Sequence, residues 1–577
     1  MTDQPSTRST TPTPDIDALV ERLATGERAW ARTHLSERRE LLLDIASATA
    51  ATADAWVRTA ACIKQLNPAS PLLGEEWLSG PYAVLTYLQA LQETLRRLDE
   101  GADVLADTRI TRAPGDRLAV QVLPYDTYDK LLLNGFHAEV WTTPGTTEEQ
   151  LRATAGLTQR TPRRTRGVAL VLGAGNILSI PPLDVLYQLF AENRTAVLKL
   201  NPTTDPLADV YRAAFKPLID RGLVEIVTGG PEVGGALAGH SGIAAVHMTG
   251  SEGTHDAVVW GTGKAATAAK AAGTPKLTKP MTSELGGVSP IIILPGEWSE
   301  ADLRYQAEHV ATMRLHNSGC NCIAGQILIL SSDWPQKNAF LTALRRAFAT
   351  APARPAWYPG CEARVQSARD LHPDGAEKPG GTPERTLLTG LDLTDPDETA
   401  FTTEYFGPVL GVAELPGTAT QFLDAAVTAA NERLHGTLGA NLIAHPDTVK
   451  ALGPHLRTAV ADLRYGTIAI NAWTGVGYAT SRATWGAYPG HTLDDVQSGI
   501  GIVHNALLLD HTERTIVTGP FRPAPRSILN GEASISPKPP WFVTNTTAAH
   551  TGRLLTEFAA NPRWQDLPAL LTSALRG

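Results

Sequence analysis

The chain has few cysteines and no long apolar run. Four cysteines in 577 residues are too few for a disulfide framework, which favours a reducing compartment and makes any prominent thiol a candidate for chemistry. No stretch approaches the roughly 20 apolar residues needed to cross a bilayer, and the first residues lack the apolar segment of a secretory signal. We therefore expect a cytoplasmic protein with no membrane span.

An excess of positive charge is also missing. Acidic side chains outnumber basic ones by 59 to 50, which argues against a general affinity for nucleic acid or anionic membranes. Arg160, Arg163, Arg164 and Arg166 form one basic cluster, which we interpret as a solvated connector or, alternatively, as an anion or subunit contact. No histidine stands at metal-ligand spacing from the cysteines, so no metal site is expected.

The apolar pattern predicts an α/β protein of several domains. Short alternating runs within residues 109–150 predict strands, and from Gly167 onward strand-like runs alternate with helix-like ones. This alternation is typical of a parallel, doubly wound sheet, which binds ligands beyond the carboxyl ends of its strands. We predict a disordered tail over residues 1–15 and a first domain with a helical N-terminal region over 16–283. A second α/β domain is predicted over 284–475, and a C-terminal return with an extension over 476–577.

Two glycine-containing turns follow predicted strands. The segment GAGNIL, which contains Asn176, lacks the third glycine of the usual dinucleotide fingerprint, so by itself it equally indicates a packing turn between strand and helix. In MTGSEGTHD, Gly250 and Ser251 would stand at a helix N-terminus, whose free N–H groups suit a pyrophosphate. Neither turn alone decides the ligand.

A loop with two thiols, NSGCNCIAG, places Cys320 and Cys322 before a predicted strand. By itself such a loop is as compatible with a structural role as with a reactive one. It belongs, however, to an ordered set of motifs: GAGN at 173–176, LKLNP with Lys199, MTGS ending at Ser251, SELGG with Glu284, NSGCNC with Cys322 and EYFGPVL with Glu404. This order and spacing resemble the aldehyde dehydrogenase superfamily over roughly residues 167–490.

The resemblance implies the fold and the assembly. It implies an aldehyde dehydrogenase-like α/β fold, in which a Rossmann-type NAD(P)-binding domain precedes an α/β catalytic domain from about Glu284. Small oligomerisation strands would lie within about residues 109–150, and a homodimer or homotetramer is expected by the same resemblance.

The resemblance also implies catalytic roles. Cys322 takes the place of the nucleophile, whose thiolate adds to an aldehyde and yields a thiohemiacetal and then a thioester. The Asn176 amide and the Cys322 backbone N–H would form the oxyanion hole, and Glu284 would act as the general base that activates water to release the acid. The expected reaction is oxidation of an aldehyde to a carboxylic acid.

Cofactor contacts follow from the resemblance in the same way. Glu404 and Phe406 match the residues that hold the nicotinamide ribose, Lys199 would reach the adenosine ribose, and Gly250 with Ser251 would lie at the pyrophosphate. The expected cofactor is NAD or NADP. The choice stays open because Pro202 occupies the position where a glutamate commonly marks NAD preference, with Thr203, Thr204 or the arginine cluster as possible receivers of a 2′-phosphate.

Several residues depart from the family pattern. Cys320 replaces the usual glutamine, Val288 stands where lysine is common, and Gly253 and His255 alter the glycine placement after Ser251. These departures leave open a degenerate dehydrogenase that serves as a scaffold or binding protein. An acyl-CoA reductase or CoA-acylating dehydrogenase is the alternative enzyme, although the retained carboxylate favours hydrolysis.

Two further regions concern the substrate. Trp473, Tyr478 and Trp485 stand where the family has its substrate funnel, so they would line an apolar tunnel or belong to the core. An apolar or long-chain aldehyde would suit such a tunnel. The 251–284 stretch is long and predicts an added surface helix or loop, and the segment after Ile500 would cover the funnel or serve a subunit interface.

Overall fold

The structure is a computed structural model that describes residues 15–381 and 385–577. Residues 1–14 of the predicted disordered tail lie outside the described residues. Asp15, assigned to the same tail, caps the first helix, because its side chain accepts a hydrogen bond from the Ala18 N–H at 3.1 Å.

The described residues contain helices throughout their length. In chain order the α-helices are α1 (Ile16–Trp30), α2 (Leu35–Ile63), α3 (Leu73–Trp77), α4 (Ala83–Asp99), α5 (Thr127–Leu132), α6 (Glu148–Thr154), α7 (Ile180–Phe190), α8 (Ala208–Ala214), α9 (Lys216–Ile219), α10 (Pro231–Gly239), α11 (Glu252–Val259), α12 (Gly263–Ala271), α13 (Glu300–Leu315), α14 (Lys337–Thr350), α15 (Cys361–Leu371), α16 (Ala419–Arg433), α17 (Pro446–Leu452), α18 (Pro454–Asp462), α19 (Thr474–Ala479), α20 (Arg526–Leu529), α21 (Ala548–Ala560) and α22 (Leu567–Ala574). A π-helical turn spans Leu78–Tyr82, and 3-10 turns span Leu157–Arg160, Pro202–Leu207, His316–Gly319, Pro379–Gly381, Thr399–Phe401 and Trp564–Asp566.

The strands alternate with these helices from the middle of the chain onward. They are β1 (Ile110–Ala113), β2 (Arg117–Leu123), β3 (His137–Thr142), β4 (Val168–Leu172), β5 (Thr195–Lys199), β6 (Val224–Val227), β7 (Ile243–Gly250), β8 (Met281–Leu285), β9 (Ser289–Ile293), β10 (Gly325–Ser331), β11 (Ala376–Glu377), β12 (Thr386–Leu391), β13 (Val409–Leu415), β14 (Gly439–Ile443), β15 (Thr467–Ile470), β16 (Trp485–Gly486), β17 (Gly499–Ile500), β18 (Ile502–Val503) and β19 (Thr512–Thr518).

A six-stranded sheet forms the first α/β layer. Its order is β17-β8-β7-β4-β5-β6. The last five strands of this order run parallel to one another, while β17 pairs antiparallel with β8. The inner strands β4 (VALVL) and β5 (TAVLK) are buried along almost their whole length, as expected where helices cover both faces. The predicted α/β fold with a parallel, doubly wound sheet is confirmed.

An eleven-stranded sheet forms the second layer, in the order β1-β2-β3-β19-β15-β14-β9-β10-β13-β12-β11. The strands predicted within residues 109–150 extend this sheet through the antiparallel pairing of β3 with β19. Strand β19 pairs parallel with β15, so the second layer draws a strand from beyond residue 475, where the sequence placed the end of that domain. One of the crossings from the six-stranded to the eleven-stranded sheet lies between Leu285 and Ser289.

The N-terminal and C-terminal helices pack on each other. Helices α2 and α4 lie against one another, and α21 returns to contact α2, α3 and α4. A Cβ on Gly74 would lie 2.6 Å from Ala548, so glycine is required for the close approach of α3 and α21. Within residues 15–381 and 385–577, no helix combines the length and apolarity that a bilayer span needs.

Candidate active site

The Cys322 loop, residues 316–324, connects α13 to β10. It begins with a 3-10 turn in which Asn317 has a φ of 53°, an uncommon conformation for a residue other than glycine. The Asn317 side chain fixes this turn, since Nδ2 donates to the carbonyl of Cys320 at 2.9 Å and to that of Asn176 at 3.2 Å. Cys322 follows with its side chain partly exposed.

Glu284 lies on β8 beside the Cys322 thiol. The carboxyl and the thiol line the same cavity and interact electrostatically, and Trp485 Nε1 donates to Glu284 Oε1 at 3.4 Å. Burial raises the pKa of Glu284 to about 7, against the opposing effect of the nearby Cys322 thiol. Burial and the nearby Glu284 charge also raise the pKa of the Cys322 thiol. The thiol is therefore protonated at neutral pH, with Glu284 as the adjacent proton acceptor.

Asn176 stands in the turn between β4 and α7. Its Nδ2 donates to the Cys320 carbonyl at 3.1 Å, which places the amide directly against the Cys322 loop. The preceding Gly175 leaves no space for a side chain, because a Cβ there would lie 2.7 Å from the Asn201 side chain. The tight turn after β4 thus brings an amide donor to the loop that contains the thiol.

A large cavity of about 760 Å³ contains all the predicted site residues. It opens along the carboxyl ends of β4, β5 and β7, where a doubly wound sheet places ligands. The structure brings together in its lining the three predicted catalytic and five predicted cofactor-binding residues: Asn176, Glu284, Cys322, Lys199, Gly250, Ser251, Glu404 and Phe406. The arginine cluster at 160–166 does not contribute to it.

The walls of this cavity suit a dinucleotide. Glu404 is half-buried, and its Oε1, which is shielded from solvent, has no hydrogen-bond partner among the described residues, so this acceptor suits a ligand hydroxyl. Burial raises the pKa of Glu404 to about 8. Ser251 is the N-cap of α11, and the first N–H groups of this helix suit a phosphate. Lys199 ends β5, and burial lowers its pKa.

A second, apolar chamber of about 190 Å³ lies on the other side of Cys322. Trp473, Tyr478 and Trp485, the three aromatic residues that the sequence placed at a tunnel or in the core, all line this chamber. Trp485 lies between the two spaces, because its Nε1 donates to Glu284 while its ring contacts Tyr478. Cys322 lines both the large cavity and the apolar chamber.

Cys320 faces away from the large cavity. Its Sγ lies 4.0 Å from Cys361 Sγ and 3.5 Å from the Phe406 carbonyl, inside the second hydrophobic core. Val288, which stands where lysine is common, is buried in the same core. Both departures from the family pattern therefore change the packing behind the loop rather than the lining of the cavity.

Comparison with known proteins decides the family. The sequence pattern of the Aldehyde dehydrogenase family matches residues 136–486, which is more than half of the chain. The chain belongs to the aldehyde dehydrogenase family. A Caulobacter vibrioides protein named "Probable coniferyl aldehyde dehydrogenase" is 28% identical over 269 residues, 43% of this chain and 51% of that protein. Betaine aldehyde dehydrogenase of Amaranthus hypochondriacus is 36% identical over 127 residues, 22% of this chain and 20% of that protein. The chain thus spans about half the length, or less, of these curated relatives.

Solved aldehyde dehydrogenases share the fold. The indole-3-acetaldehyde dehydrogenase AldA of P. syringae, solved in complex with NAD+ and IAA, superposes with a TM-score of 0.56 at 20% identity, covering 88% of this chain and 89% of that one. The aldehyde dehydrogenase KauB from Pseudomonas aeruginosa gives a TM-score of 0.57 at 19% identity, covering 87% and 88%. At these identities the likeness shows the fold.

In this aldehyde dehydrogenase, sequence reasoning missed a buried arginine that links two loops. Arg314 on α13 donates to the Ala324 carbonyl at 3.3 Å, in the Cys322 loop, and to the Gly407 carbonyl, next to Glu404 and Phe406. The guanidinium is fully buried. One side chain therefore connects the loop of the thiol to the loop of the unpaired carboxylate, and a helical arginine carries no sequence signal for such a contact.

A buried cluster of four charges was also missed. Lys64, Glu75, Glu76 and Arg354 have nearly inaccessible side chains, with Lys64 Nζ 2.8 Å from Glu76 and Arg354 paired with both glutamates. The cluster supports the Cys322 loop, because Glu75 accepts from the Asn317 N–H at 2.9 Å and Arg354 donates to Asn317 Oδ1 at 3.1 Å. The adjacent Glu75 and Glu76 on the short α3 were the sequence signal for this cluster, because two neighbouring carboxylates in a buried helix need cationic partners.

The long stretch before Glu284 forms α11, α12 and a connection that reaches the large cavity. Helix α12 has no buried residue, in agreement with the predicted surface helix, while Lys276 and Lys279 further on line the cavity. Lys279 Nζ donates to the carbonyls of Ala238 at 2.7 Å and His240 at 2.5 Å. The described residues contain no group of His, Cys, Asp and Glu that could hold a metal ion.

Proposed function

We propose that this family member oxidises an aldehyde to a carboxylic acid with NAD or NADP. One aldehyde, one water and one NAD(P)+ give one acid, one NAD(P)H and one proton. The observation that carries the proposal is the position of the Cys322 thiol, which lies where the large cavity meets the apolar chamber and shares the lining of that cavity with Glu284. A substrate in the chamber and a dinucleotide in the cavity would therefore meet at one sulfur.

The first step is addition of Cys322 to the aldehyde. The Glu284 carboxylate accepts the thiol proton, the sulfur bonds to the carbonyl carbon, and the carbonyl oxygen becomes an alkoxide in the thiohemiacetal. Asn176, now donating to the Cys320 carbonyl, has the amide that would turn to this oxygen together with the Cys322 backbone N–H. Loss of one such donor costs about 3 kcal/mol of transition-state stabilisation.

The large cavity would hold the dinucleotide. Lys199 would contact the adenosine ribose, Gly250 and Ser251 would adjoin the pyrophosphate, and Glu404 with Phe406 would hold the nicotinamide ribose. When bound, the nicotinamide accepts the hydride that leaves the thiohemiacetal carbon. The relatives support this use of the cavity, because the P. syringae enzyme is described with NAD+ bound.

The thioester is then hydrolysed at Glu284. After the carboxyl has passed its proton to solvent, the carboxylate takes a proton from water, the hydroxyl oxygen bonds to the acyl carbon, and the carbon–sulfur bond breaks. A pKa of about 7 matches this task, since such a group is a base and an acid in similar measure near neutral pH. Retention of this carboxylate beside the thiol favours water over coenzyme A as the acyl acceptor.

Two attributes of the whole protein belong to the same proposal. The four cysteines are all free thiols, which suits a reducing cytoplasm. Strand β1 lies at the edge of the eleven-stranded sheet, and an edge strand is able to pair with another chain, which suits a homodimer or homotetramer.

An aldehyde panel tests the proposal. Absorbance of the reduced nicotinamide is followed with NAD+ and with NADP+, with and without coenzyme A, for the unaltered protein, Cys322→Ala and the control Cys62→Ala. We expect turnover without coenzyme A, its loss in Cys322→Ala and its retention in Cys62→Ala, because Cys62 is exposed and far along the chain. Turnover that requires coenzyme A would favour a CoA-acylating enzyme. Absent turnover, with no nucleotide binding and equal alkylation of both thiols, would favour a scaffold.

A further inference from the structure

The apolar chamber is built mostly from residues outside the matched family segment. The π-helical turn Leu78–Tyr82 and residues 129–134 precede residue 136, and residues 535–575, named here the C-terminal wall, follow residue 486. These segments surround the space that ends at Cys322. Substrate selection by the chamber therefore depends on parts of the chain that the family pattern does not describe.

The C-terminal wall is fastened at several points. Lys538 Nζ lies 2.8 Å from a Glu308 carboxylate oxygen, and the Val543 N–H donates to Thr312 Oγ1 at 3.2 Å, so the wall is tied to α13 directly before the Cys322 loop. Within the wall, Thr551 Oγ1 and Ser573 Oγ are 2.8 Å apart, which joins α21 to α22. The wall is a packed part of the fold.

The chamber has an apolar, ring-rich interior. Tyr478 and Trp485 meet edge to face, with centroids 5.3 Å apart at 84°, close to Cys322. Trp541 of the wall meets Phe136 edge to face as well, with centroids 5.4 Å apart, and both rings line the chamber. Leu571 of α22 adds an aliphatic surface to the same lining. Such walls favour a ligand whose tail is apolar, because burial of apolar area drives its binding.

Charge in the chamber is one-sided. Among the described residues that line it there is no lysine or arginine, and the one carboxyl is that of Asp129, whose pKa is raised by burial. His316 also lines the chamber, but burial lowers its pKa to about 3, so its ring is neutral. A carboxylate on a substrate would find no counter-ion among these lining residues and would share the chamber with the Asp129 carboxyl.

We propose that the apolar chamber, closed by the C-terminal wall, selects uncharged aldehydes with an alkyl or aromatic tail and rejects aldehydes that carry a carboxylate on that tail. This inference rests on the proposed function, since it names the substrate class of the same thiol. It assigns the C-terminal wall the role of a specificity element.

A matched pair of substrates tests the selection. Hexanal and 6-oxohexanoate have the same chain length and differ only in the terminal group. We expect kcat/KM for hexanal to exceed that for 6-oxohexanoate at least about 100-fold, because an unpaired carboxylate is expensive to bury. Equal values for the two aldehydes, or a preference for 6-oxohexanoate, would overturn the proposal.

A positive charge added to the C-terminal wall makes the test specific to the chamber. Leu571→Arg places a guanidinium beside the chamber and is expected to lower kcat/KM for hexanal and raise it for 6-oxohexanoate, at least about 10-fold each way. The control Leu529→Arg adds the same charge on α20 at a side chain that is 80% exposed and outside the chamber, and is expected to leave both values unchanged. The proposal fails if Leu571→Arg changes neither substrate, or if both variants act alike.

A readout without turnover separates this inference from the proposed function. Hexanamide is expected to protect Cys322 from iodoacetamide, whereas adipic acid monoamide is not, because only the first fits an apolar chamber without burying a charge. Protection by hexanamide alone, without any aldehyde turnover, would support the selectivity of the chamber and refute the proposed function. Acetaldehyde turnover, with equal protection by both amides, would keep the function and refute the selection.

Discussion

At the scale of single residues, the environment of Glu284 decides what Cys322 is able to do. The carboxyl is buried, accepts from Trp485 and lines the same cavity as the thiol, and burial raises its pKa to about 7. A thiol whose own pKa is raised by burial depends on such a neighbour for its proton. The pair therefore acts as one unit, and its state changes within the neutral pH range.

The pH dependence of turnover follows from this pair. The active form of Glu284 is the carboxylate, so kcat is expected to rise as the pH passes upward through about 7 and to level off above it. Glu284→Gln is expected to lower kcat by about 10²- to 10⁴-fold and to remove this limb of the profile. Steady-state kinetics across the pH range measure both effects. The control is Glu300→Gln at an exposed position, and survival of the same limb in Glu284→Gln would refute the assignment.

The roles of most site residues could be predicted from the sequence, because each belongs to a short motif at the end of a strand. Asn176 follows β4, while Lys199 and Gly250 end β5 and β7, and parallel strands bring their carboxyl ends to the same edge. Glu75 and Arg354 could not be predicted in this way. They are far apart in sequence, and only tertiary packing brings them to Asn317.

At the scale of elements, the conformation of the Cys322 loop depends on the buried charge cluster. Arg354→Met removes the partner of Glu75 and Glu76 and the donor to Asn317 Oδ1. We expect a loss of about 3–5 kcal/mol in the free energy of unfolding, because two carboxylates stay buried with one cation fewer. Urea denaturation measures the loss, and alkylation of Cys322 by iodoacetamide reports the loop.

The matched control for this prediction is Arg345→Met. Arg345 pairs with Glu377 at 2.7 Å on the surface, so its removal is expected to cost at most about 1 kcal/mol. If the two variants were equally stable and alkylated at the same rate, the cluster would not support the loop.

At the scale of the whole molecule, the two sheets meet at the Cys322 site. The C-terminal wall and segments before residue 136 line the apolar chamber beside this site. The sequence predicted the alternating elements, since apolar runs and glycine turns are local signals. It did not predict that β17 pairs with β8 beside Glu284, or that β19 joins the second layer. Such pairings join residues that are far apart in sequence: more than 200 residues for β17 and β8, and about 370 for β19 and β3. The sequence offered the C-terminal segment as a funnel cover or a subunit interface, and the residues that form the C-terminal wall are visible only in the folded chain.

Formation of an acyl thioester on Cys322 is the central claim, and acid-quench mass spectrometry tests it most directly. The enzyme is mixed with hexanal and NAD(P)+, quenched in acid within the first turnover, and digested for peptide mapping. We predict a hexanoyl group on the peptide with Cys322 and none in Cys322→Ala. A hexanoyl group on Cys62 or Cys361 instead, or turnover without any acylated peptide, would contradict the account.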